Sequence, residues 1–225
     1  MLNKAVLWDI SYGVYVVSTV YDGKMTGCIA NCAIQATNNL MAVSINRSNY
    51  TNEAIKGSGK FAVSILSQKS NPDIISIFGF SSGREVNKFE KTDYKIINNL
   101  PVIADSKGYI ALKTVNTVEL DTHTIFISEI TDGDIFNNEP PMTYKFYHDT
   151  IKGRAPKAAP TYIPPSDLKC DDVKAAVSKV QTGGKKYRCK VCGYIYDGDI
   201  TLEKPDFVCP VCKKPASFFE EIAYA

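Results

Sequence analysis

Two Cys-x-x-Cys motifs near the C-terminus constrain this chain more than any other feature. Cys189 and Cys192 form the first motif, Cys209 and Cys212 form the second, and sixteen residues separate the two. Each motif brings two sulfurs to one metal ion, and together they supply a tetrahedral set of four sulfurs, which selects zinc or iron. Residues 185–225 are too few for a self-sufficient apolar core. The pattern therefore predicts a small metal domain, with the choice between the two metals open.

Bulk composition is typical of a globular protein. The chain has 225 residues, of which 44% are hydrophobic, and its net charge is +2. A charge this small does not indicate binding to nucleic acid or to a membrane surface. Residues Met1–Asp9 lack the apolar core of a signal peptide and no apolar run is long enough to cross a bilayer, so we expect a soluble, cytoplasmic protein. In that compartment paired cysteines favour a metal, and Cys28, Cys32 and Cys170 are expected to be buried apolar residues.

The first 150 residues are rich in strand signals. An Asp22-Gly23 pair predicts a hairpin turn after the first apolar run. No strand–helix–strand alternation is visible, so the fold class predicted from the residues is mainly β, an antiparallel barrel with peripheral helices. The strand-sized runs are Val14–Val20, Leu40–Ile45, Phe61–Leu66 and Tyr109–Ile130, the last long enough for two strands.

Two helices are predicted between these strands. One runs over Thr51–Lys56, with Thr51 as its cap, and ends at the glycines that follow. The other is capped by Ser70 or Asn71 and has Pro72 in its first position. Its buried face would consist of Ile74, Ile75 and Phe78.

Composition divides the chain into three parts. We expect a β-rich domain over residues 1–155, a linker over residues 156–184 and a metal domain over residues 185–225. The linker is basic and Pro-rich at its start, which favours an extended chain, and Gly183-Gly184 predicts a hinge before the metal domain. A short helix from Ser166 to Val180 lies between them.

The residues around the cysteines resemble the rubredoxin family. Cys-x-x-Cys-Gly-Tyr-Ile-Tyr-Asp begins at Cys189, and Cys-Pro-x-Cys begins at Cys209. The resemblance implies one iron that cycles between ferric and ferrous states on Cys189, Cys192, Cys209 and Cys212. The sixteen-residue spacing is shorter than in free-standing rubredoxins and is similar to the rubredoxin-like modules of rubrerythrins. Zinc remains the alternative metal.

Several segments of the first domain together resemble the FMN-binding split-barrel family of flavin and ferric reductases. The resemblance implies a split β-barrel and a homodimer with FMN bound non-covalently near the subunit interface. No Gly-x-Gly-x-x-Gly motif supports a dinucleotide-binding Rossmann site. The segments that carry the resemblance include Ser11–Val17, Gly27–Thr37, Ser44–Thr51, Phe61–Leu66 and Asp121–Glu129.

By motif position, the resemblance assigns two groups of residues to the flavin. The first group faces the isoalloxazine and comprises Asn31, Cys32, Ala33 and Gln35. The second group supplies polar groups to the ribityl chain and phosphate and comprises Asn46, Arg47, Ser48, Asn49, Tyr50 and Thr51. The start of a helix near Thr51 favours the charge of a phosphate, and Arg47 could pair with it.

The remaining candidates are two histidines and two basic side chains. His148 and Lys152 lie in a segment similar to the tail that closes over the flavin in the rubredoxin-fused subgroup. His148 is the candidate catalytic residue and Lys152 a candidate phosphate ligand. His123, two residues from Asp121, is expected to be structural. Arg84 is expected to be a solvated charge, with contact to a nicotinamide phosphate as the alternative.

The order of the two domains resembles the high-molecular-weight rubredoxins of anaerobic bacteria. This resemblance implies electron transfer from NAD(P)H through FMN to the iron, and then to a partner such as a flavodiiron protein that reduces oxygen or nitric oxide. One alternative is a free flavin or ferric reductase with an incidental metal module. The other is a zinc-ribbon interaction module on a flavin-binding scaffold.

Overall fold

The computed structural model describes residues 6–7, 10–151 and 186–222. The chain divides into two compact units, one from Tyr12 to Tyr144 and one that includes the C-terminal residues. The predicted linker over residues 156–184, with its helix and its Gly183-Gly184 hinge, lies outside the described residues. The predictions for Lys152 and Cys170 also lie outside them.

The first unit is built on a seven-stranded sheet curled into a half-barrel. Every pair of neighbouring strands is antiparallel, in the order β2-β1-β5-β8-β9-β4-β3, and β6 and β7 form a separate hairpin. The predicted mainly-β class and each predicted strand are confirmed. The strands are β1 Tyr15–Tyr21, β2 Lys24–Ala30, β3 Ala33–Gln35, β4 Leu40–Asn46, β5 Lys60–Ile65, β6 Tyr94–Ile97, β7 Leu100–Ile103, β8 Gly108–Glu119 and β9 His123–Ile135.

Two tight turns depend on residues with positive φ. Asp22 and Gly23, at φ 49° and 68°, join β1 to β2 as predicted. Asn98 and Asn99, at φ 51° and 60°, join β6 to β7. Asparagine tolerates this conformation better than most residues, so the short hairpin closes without glycine.

Helix α1, Tyr50–Ser58, begins earlier than predicted. Its N-cap is Asn49, which has an extended backbone and whose carbonyl accepts the N–H of Asn52 at 2.9 Å. The predicted cap at Thr51 is therefore wrong, because Thr51 is already helical and only 2% exposed. The helix runs on to Gly59, at φ 68°, whose N–H donates to the Ile55 carbonyl at 2.8 Å.

Helix α2, Asp73–Phe80, confirms the second predicted helix, but its N-cap is Pro72, so the predicted cap at Ser70 or Asn71 is wrong. The side chain of Asn71 accepts the N–H of Asp73 at 2.9 Å, and Pro72 between them has helical dihedral angles. The predicted buried face is confirmed as well, with Ile74, Ile75 and Phe78 at most 4% exposed. Shorter helical turns follow at Lys88–Lys91, Tyr144–Phe146 and Tyr147–Ile151.

The core of this unit lies between the curled sheet and α1. Phe61 and Phe126 are fully buried and pack edge-to-face, with their ring centroids 6.0 Å apart. Val17, Val43 and Ile55 close the same cluster. Burial of each such side chain is worth about 1.5–3 kcal/mol, so this cluster fixes α1 against the strands that precede it.

The C-terminal unit has a three-stranded sheet of β10 Lys186–Cys189, β11 Ile195–Asp197 and β12 Phe219–Glu221, with β10 in the centre. Its core is small and aromatic. The ring centroid of Phe207 lies 5.3 Å from that of Tyr196 and 5.8 Å from that of Phe219. Two single helical turns, Ile200–Leu202 and Ala216–Phe218, complete the unit. Among the described residues of the chain, no helix has the length and apolar character needed to cross a bilayer.

Candidate metal centre and flavin site

The four cysteines of the C-terminal unit converge on one point. Their sulfur atoms all lie within 4.8 Å of one another, and two pairs are 3.5 Å apart, Cys189 with Cys212 and Cys192 with Cys209. All four residues are buried, at 0–6% exposure. The fold thus confirms the prediction that the two Cys-x-x-Cys motifs come together.

This arrangement fits a tetrahedral metal ion. At a metal–sulfur distance of about 2.3 Å, the sulfurs of a regular tetrahedron are about 3.8 Å apart. The observed separations lie on both sides of that value. A small adjustment of the side chains therefore suffices to hold zinc or iron, and four sulfur ligands are the set that both ions accept.

The backbone of the two cysteine loops is arranged in the same way. The N–H of Cys189 donates to the Tyr194 carbonyl at 2.8 Å, and the N–H of Cys209 donates to the Lys214 carbonyl at 2.7 Å. In each loop the residue after the second cysteine closes the turn through its own N–H. These residues are Gly193 and Lys213, each bonded at 2.8 Å to the carbonyl of its loop's first cysteine.

The crowded sulfurs disturb one another's protonation. Hydrogen bonds from the thiols of Cys192 and Cys212 lower the pKa of Cys209, and backbone N–H groups lower it further. The pKa of Cys192 is raised in turn, because its thiol donates to the Cys209 sulfur. The cluster thus favours a thiolate even without a cation, and a bound metal would release the remaining thiol protons.

The first group of predicted flavin residues lies where β2 passes into β3. Asn31 is 7% exposed, and the carbonyl of Cys32 accepts the N–H of Ser44 at 3.0 Å. Ala33 and Gln35 belong to β3, which pairs with β4 at the edge of the sheet. The structure therefore places all four predicted residues on one short stretch of backbone. Burial raises the pKa of the Cys32 thiol, which keeps it neutral.

The second group lies in the turn between β4 and α1. The side-chain oxygen of Asn46 accepts from the N–H of Ser48 at 2.8 Å and from its hydroxyl at 2.7 Å, which fixes the turn. Asn49 and Tyr50 follow at the N-terminus of α1. The N–H groups of a first helical turn have no partner within the helix and carry a partial positive charge, so they suit an anion.

Arg47 makes other contacts in this structure. Its guanidinium donates to the Leu120 carbonyl at 3.1 Å, and its Nε lies 3.6 Å from the Glu119 carboxylate. Its backbone N–H donates to the Thr122 carbonyl at 2.9 Å. Arg47 thus attaches the β4–α1 turn to the β8–β9 turn. Its predicted contact with a phosphate stays a prediction.

Lys88 is a candidate site residue that the sequence did not reveal. It is only 4% exposed, and its ammonium donates to the carbonyls of Gly27 at 2.8 Å and Phe78 at 3.2 Å. No carboxylate of the described residues lies within 4 Å of it. Burial lowers its pKa. Its sequence context, a polar turn between α2 and β6, gave no sign that the charge would be buried.

The buried cation is coupled electrostatically to a thiol that contacts the start of α1. Lys88 interacts electrostatically with the Cys28 thiol, which is hydrogen-bonded to Thr51 and Asn49. Buried charges in proteins are normally paired. An ammonium group without a carboxylate among the described residues, coupled through Cys28 to the start of α1, therefore fits an anionic group of a ligand.

Arg84 extends across the outer side of the same helix. Its guanidinium carbon lies 4.8 Å from the centroid of the Tyr50 ring, and it forms an ion pair with Glu53 at 2.7 Å. Both partners of the ion pair are half exposed. Arg84 is thus held on the helix surface, and the predicted solvated charge describes its position well.

The two histidines occupy different surroundings. His123 begins β9, is 8% exposed and has its Nδ1 atom 2.9 Å from the Thr122 hydroxyl. Burial lowers its pKa, which favours the neutral ring. His148 lies in the turn Tyr147–Ile151, where its ring packs edge-on against Tyr147 with centroids 5.4 Å apart. The catalytic assignment of His148 stays a prediction.

Comparison with known proteins assigns both parts of the chain. Residues 7–152 match the flavin reductase like domain family, and residues 187–220 match the rubrerythrin, rubredoxin-like domain family. Together with the half-barrel and the four-sulfur site, these matches define a flavin reductase-like oxidoreductase that carries a rubredoxin-like metal domain.

Individual relatives narrow the assignment. The high molecular weight rubredoxin of Moorella thermoacetica is 32% identical, and the match covers 98% of this chain and all of the relative. The ferric-chelate reductase (NAD(P)H) of Archaeoglobus fulgidus is 34% identical over 72% of this chain and 98% of its own. The solved flavin reductase HpaC in complex with NADP+ is 25% identical with a TM-score of 0.54, over 62% of this chain and 92% of its own. The chain belongs to the high-molecular-weight rubredoxin family.

Proposed function

We propose that this oxidoreductase passes electrons from NAD(P)H through FMN to a rubredoxin-type iron and from there to a partner protein. The observation that carries the proposal is the presence, in one chain with a flavin reductase-like domain, of four buried sulfurs within 4.8 Å of one another. A flavin accepts hydride from a nicotinamide and can release its electrons singly, and an iron on four thiolates carries one electron at a time. The two sites therefore complement each other.

The phosphate of FMN is proposed to bind at the start of α1. The first-turn N–H groups and the polar side chains of Asn46, Ser48 and Asn49 would receive it. Lys88 supports this position, because its buried ammonium would gain the anion that the described residues do not supply. An ion pair of this kind, in a site closed to water, is charge-assisted and directional.

The isoalloxazine is proposed to lie against the β2–β3 junction. Here the backbone of Asn31, Cys32 and Ala33 would present N–H and C=O groups to the polar edge of the ring, with the Gln35 amide nearby. Cys32 would contribute as a neutral thiol, because burial raises its pKa. Positioning of the ring against the nicotinamide is then the main contribution of the protein to the transfer.

The electron donor is proposed to be NADH or NADPH. The name of the Archaeoglobus relative and the NADP+ bound to HpaC support this donor class. His148 would contact the nicotinamide or the flavin edge, and Lys152 would meet a phosphate. Both assignments rest on the resemblance of their segment to the tail of the rubredoxin-fused subgroup.

The acceptor and the assembly are also proposals. A flavodiiron protein is the acceptor that the family resemblance implies. A homodimer through the flavin domain is supported by apolar side chains left exposed near the β8–β9 turn, namely Val115, Val118 and Leu120, each at least 43% exposed. A cytoplasmic location is proposed because four unlinked thiols at a metal site suit a reducing compartment.

The composition of the natural protein tests this proposal. After anaerobic purification we expect one iron and one FMN per chain, and a visible spectrum that contains both chromophores. Dithionite should bleach the iron absorbance, and air should restore it. A colourless four-sulfur site loaded with zinc in the native source would contradict the electron-carrier role and favour an interaction module.

One other function is favoured by a specific observation. The Archaeoglobus relative is named a ferric-chelate reductase, so this chain could reduce ferric chelates at its flavin without use of its own iron. Single-turnover kinetics separate the two functions. If ferric chelate is reduced faster than the iron on the four cysteines, the metal domain is incidental to turnover.

A further inference from the structure

The two cysteine loops differ at the residue that closes each turn. Gly193 has φ 75° and Lys213 has φ 57°. Glycine adopts this conformation without steric cost, whereas a lysine there is strained. Strained residues concentrate at functional positions, where another advantage outweighs the strain. Lys213, directly after Cys212, therefore places a positive charge at the edge of the metal site, at a position where glycine would be unstrained.

Two more lysines contact Phe218 at this edge, one through its backbone and one through its ammonium. The backbone N–H of Lys190 donates to the Phe218 carbonyl at 2.8 Å. The ammonium of Lys214 lies 5.6 Å from the centroid of the Phe218 ring. The ring is 40% exposed, and both lysines are exposed as well. We call Lys190, Lys213, Lys214 and Phe218 the basic face.

Lys190 and Lys214 have no carboxylate partner in the described part of the C-terminal unit. Among residues 186–222, no carboxylate oxygen of a described side chain lies within 4 Å of the Lys190 or Lys214 ammonium. Glu220, on the adjacent strand β12, is paired with Arg188 at 2.5 Å. Asp199 accepts the N–H and the hydroxyl of Thr201 within its own turn. Lys190 and Lys214 therefore project positive potential into solvent.

The basic face adjoins the point where the metal site is nearest to solvent. Cys212 is 6% exposed, whereas the other three cysteines are at most 2% exposed. Lys213 and Lys214 follow Cys212 directly. A redox partner that approaches Cys212 therefore comes near the exposed residues Lys213 and Lys214.

We propose that the basic face is the docking surface for a partner protein whose electron acceptor lies within an acidic surface patch. This inference rests on the proposed function, since it assumes a redox-active iron. Complementary charge raises the rate of productive encounter and lowers it for partners of the wrong sign. The exposed ring of Phe218 gives the contact an apolar centre with a charged rim, as is common at protein interfaces.

The double variant Lys190→Gln/Lys214→Gln tests the charge of this face in the full-length holoprotein. Lys204→Gln is the matched control, because Lys204 is an exposed lysine of the loop between the two cysteine motifs. The iron is reduced with dithionite, freed of excess reductant and mixed with hexacyanoferrate(III) or tris(1,10-phenanthroline)cobalt(III). Each reaction moves one electron from the ferrous site to the complex, which becomes hexacyanoferrate(II) or the cobalt(II) complex.

The rates of iron oxidation by the two complexes should change in opposite directions. At low ionic strength, we expect the double variant to react about threefold to tenfold more slowly with the anionic complex and faster by a similar factor with the cationic one. Lys204→Gln should leave both rates close to those of the wild type, and high salt should remove the difference between the double variant and the wild type. Equal rates in the double variant and the wild type would overturn the proposal.

Two further measurements exclude other roles for the lysines. Poly-L-glutamate, an acidic chain without a redox group, should slow the wild-type reaction with hexacyanoferrate(III) and leave that of the double variant unchanged. The reduction potential of the iron should be the same in both proteins. A changed potential that accounts for the rates would overturn the proposal. So would slower reduction of the iron by NAD(P)H, since the face would then serve the flavin domain.

Failure of the proposed function and failure of the docking surface give different results. A wild-type protein without iron contradicts that function, and the inference falls with it. A protein with reducible iron whose oxidation ignores Lys190 and Lys214 contradicts only the inference.

Discussion

The buried ammonium of Lys88 donates a 2.8 Å hydrogen bond to the carbonyl of Gly27, in the strand that leads to the proposed flavin site. Removing this charge should weaken FMN binding without lowering the folding stability. In Lys88→Met, we expect FMN affinity to fall by about tenfold to a hundredfold, because a hydrogen bond to a charged group is worth about 1.5–3 kcal/mol. Titration of the flavin-free protein with FMN, followed by flavin fluorescence, measures this loss.

The stability of the flavin-free variant provides the internal check. Met fits the buried stem of Lys88 and removes the cost of a desolvated charge, which offsets the loss of the hydrogen bonds to the Gly27 and Phe78 carbonyls. Lys88→Met should therefore unfold at a urea concentration similar to that of the wild type. Lys91→Met, at the exposed end of the same helical turn, should leave FMN affinity unchanged. Unchanged affinity in Lys88→Met would show that the phosphate binds elsewhere.

Lys213 offers a stabilising substitution. Its φ of 57° matches that of Gly193 in the other cysteine loop. In the metal-loaded protein, Lys213→Gly should raise the free energy of unfolding by about 1 kcal/mol, since glycine adopts this conformation freely. Gly193→Ala is the mirror variant and should lower it by a similar amount. Thermal unfolding of the three proteins decides the matter, and a destabilised Lys213→Gly would show that its side-chain contacts outweigh the strain.

Gly57 is a helical glycine that should not tolerate alanine. Alanine normally stabilises a helix by about 1 kcal/mol relative to glycine. Here, however, a Cβ on Gly57 would lie 2.1 Å from the ring of Tyr21. We expect Gly57→Ala to be destabilised by about 1–3 kcal/mol. Combining it with Tyr21→Ala removes the clash, so in that background the alanine should stabilise. Urea unfolding of the four proteins measures this coupling, and additive effects would contradict it.

His123 should make stability depend on pH. Burial lowers its pKa below the ordinary value of 6.5, so the unfolded chain binds a proton more readily than the folded one. The stability that the neutral His123 ring contributes is complete above about pH 6.5. It is lost as the pH falls through the lowered pKa. Unfolding free energies between about pH 7 and pH 5 should fall more steeply in the wild type than in His123→Gln. A His123→Gln variant that keeps the wild-type slope would disprove the assignment.

The metal site could be predicted from sequence because its ligands are local in the chain. Each Cys-x-x-Cys turn fixes two sulfurs by backbone hydrogen bonds within six residues, such as that from Cys189 to Tyr194. Strand positions were predictable for a similar reason, since β-branched runs and the Asp22-Gly23 turn are local signals. The flavin site, in contrast, was predicted only from the resemblance to known families.

The features that could not be predicted from the sequence depend on tertiary contacts. Thr51 has the side chain of a helix cap, but the chain enters α1 two residues earlier and Thr51 packs inside. Lys88 lies in a polar segment, and its burial depends on carbonyls of Gly27 and Phe78, which are distant in sequence. Arg47 is bound to the β8–β9 turn, again through a contact that no local pattern indicates.

The central claim is that the flavin domain and the four-cysteine iron form one electron path. Anaerobic single-turnover mixing of the full-length holoprotein with NADH or NADPH tests it most directly, with flavin and iron absorbance followed together. We expect flavin reduction first and iron reduction after it, at a rate no slower than steady-state turnover. In Lys88→Met protein stripped of FMN, the iron should stay oxidised. Iron that remains ferric while the flavin is fully reduced would contradict the account.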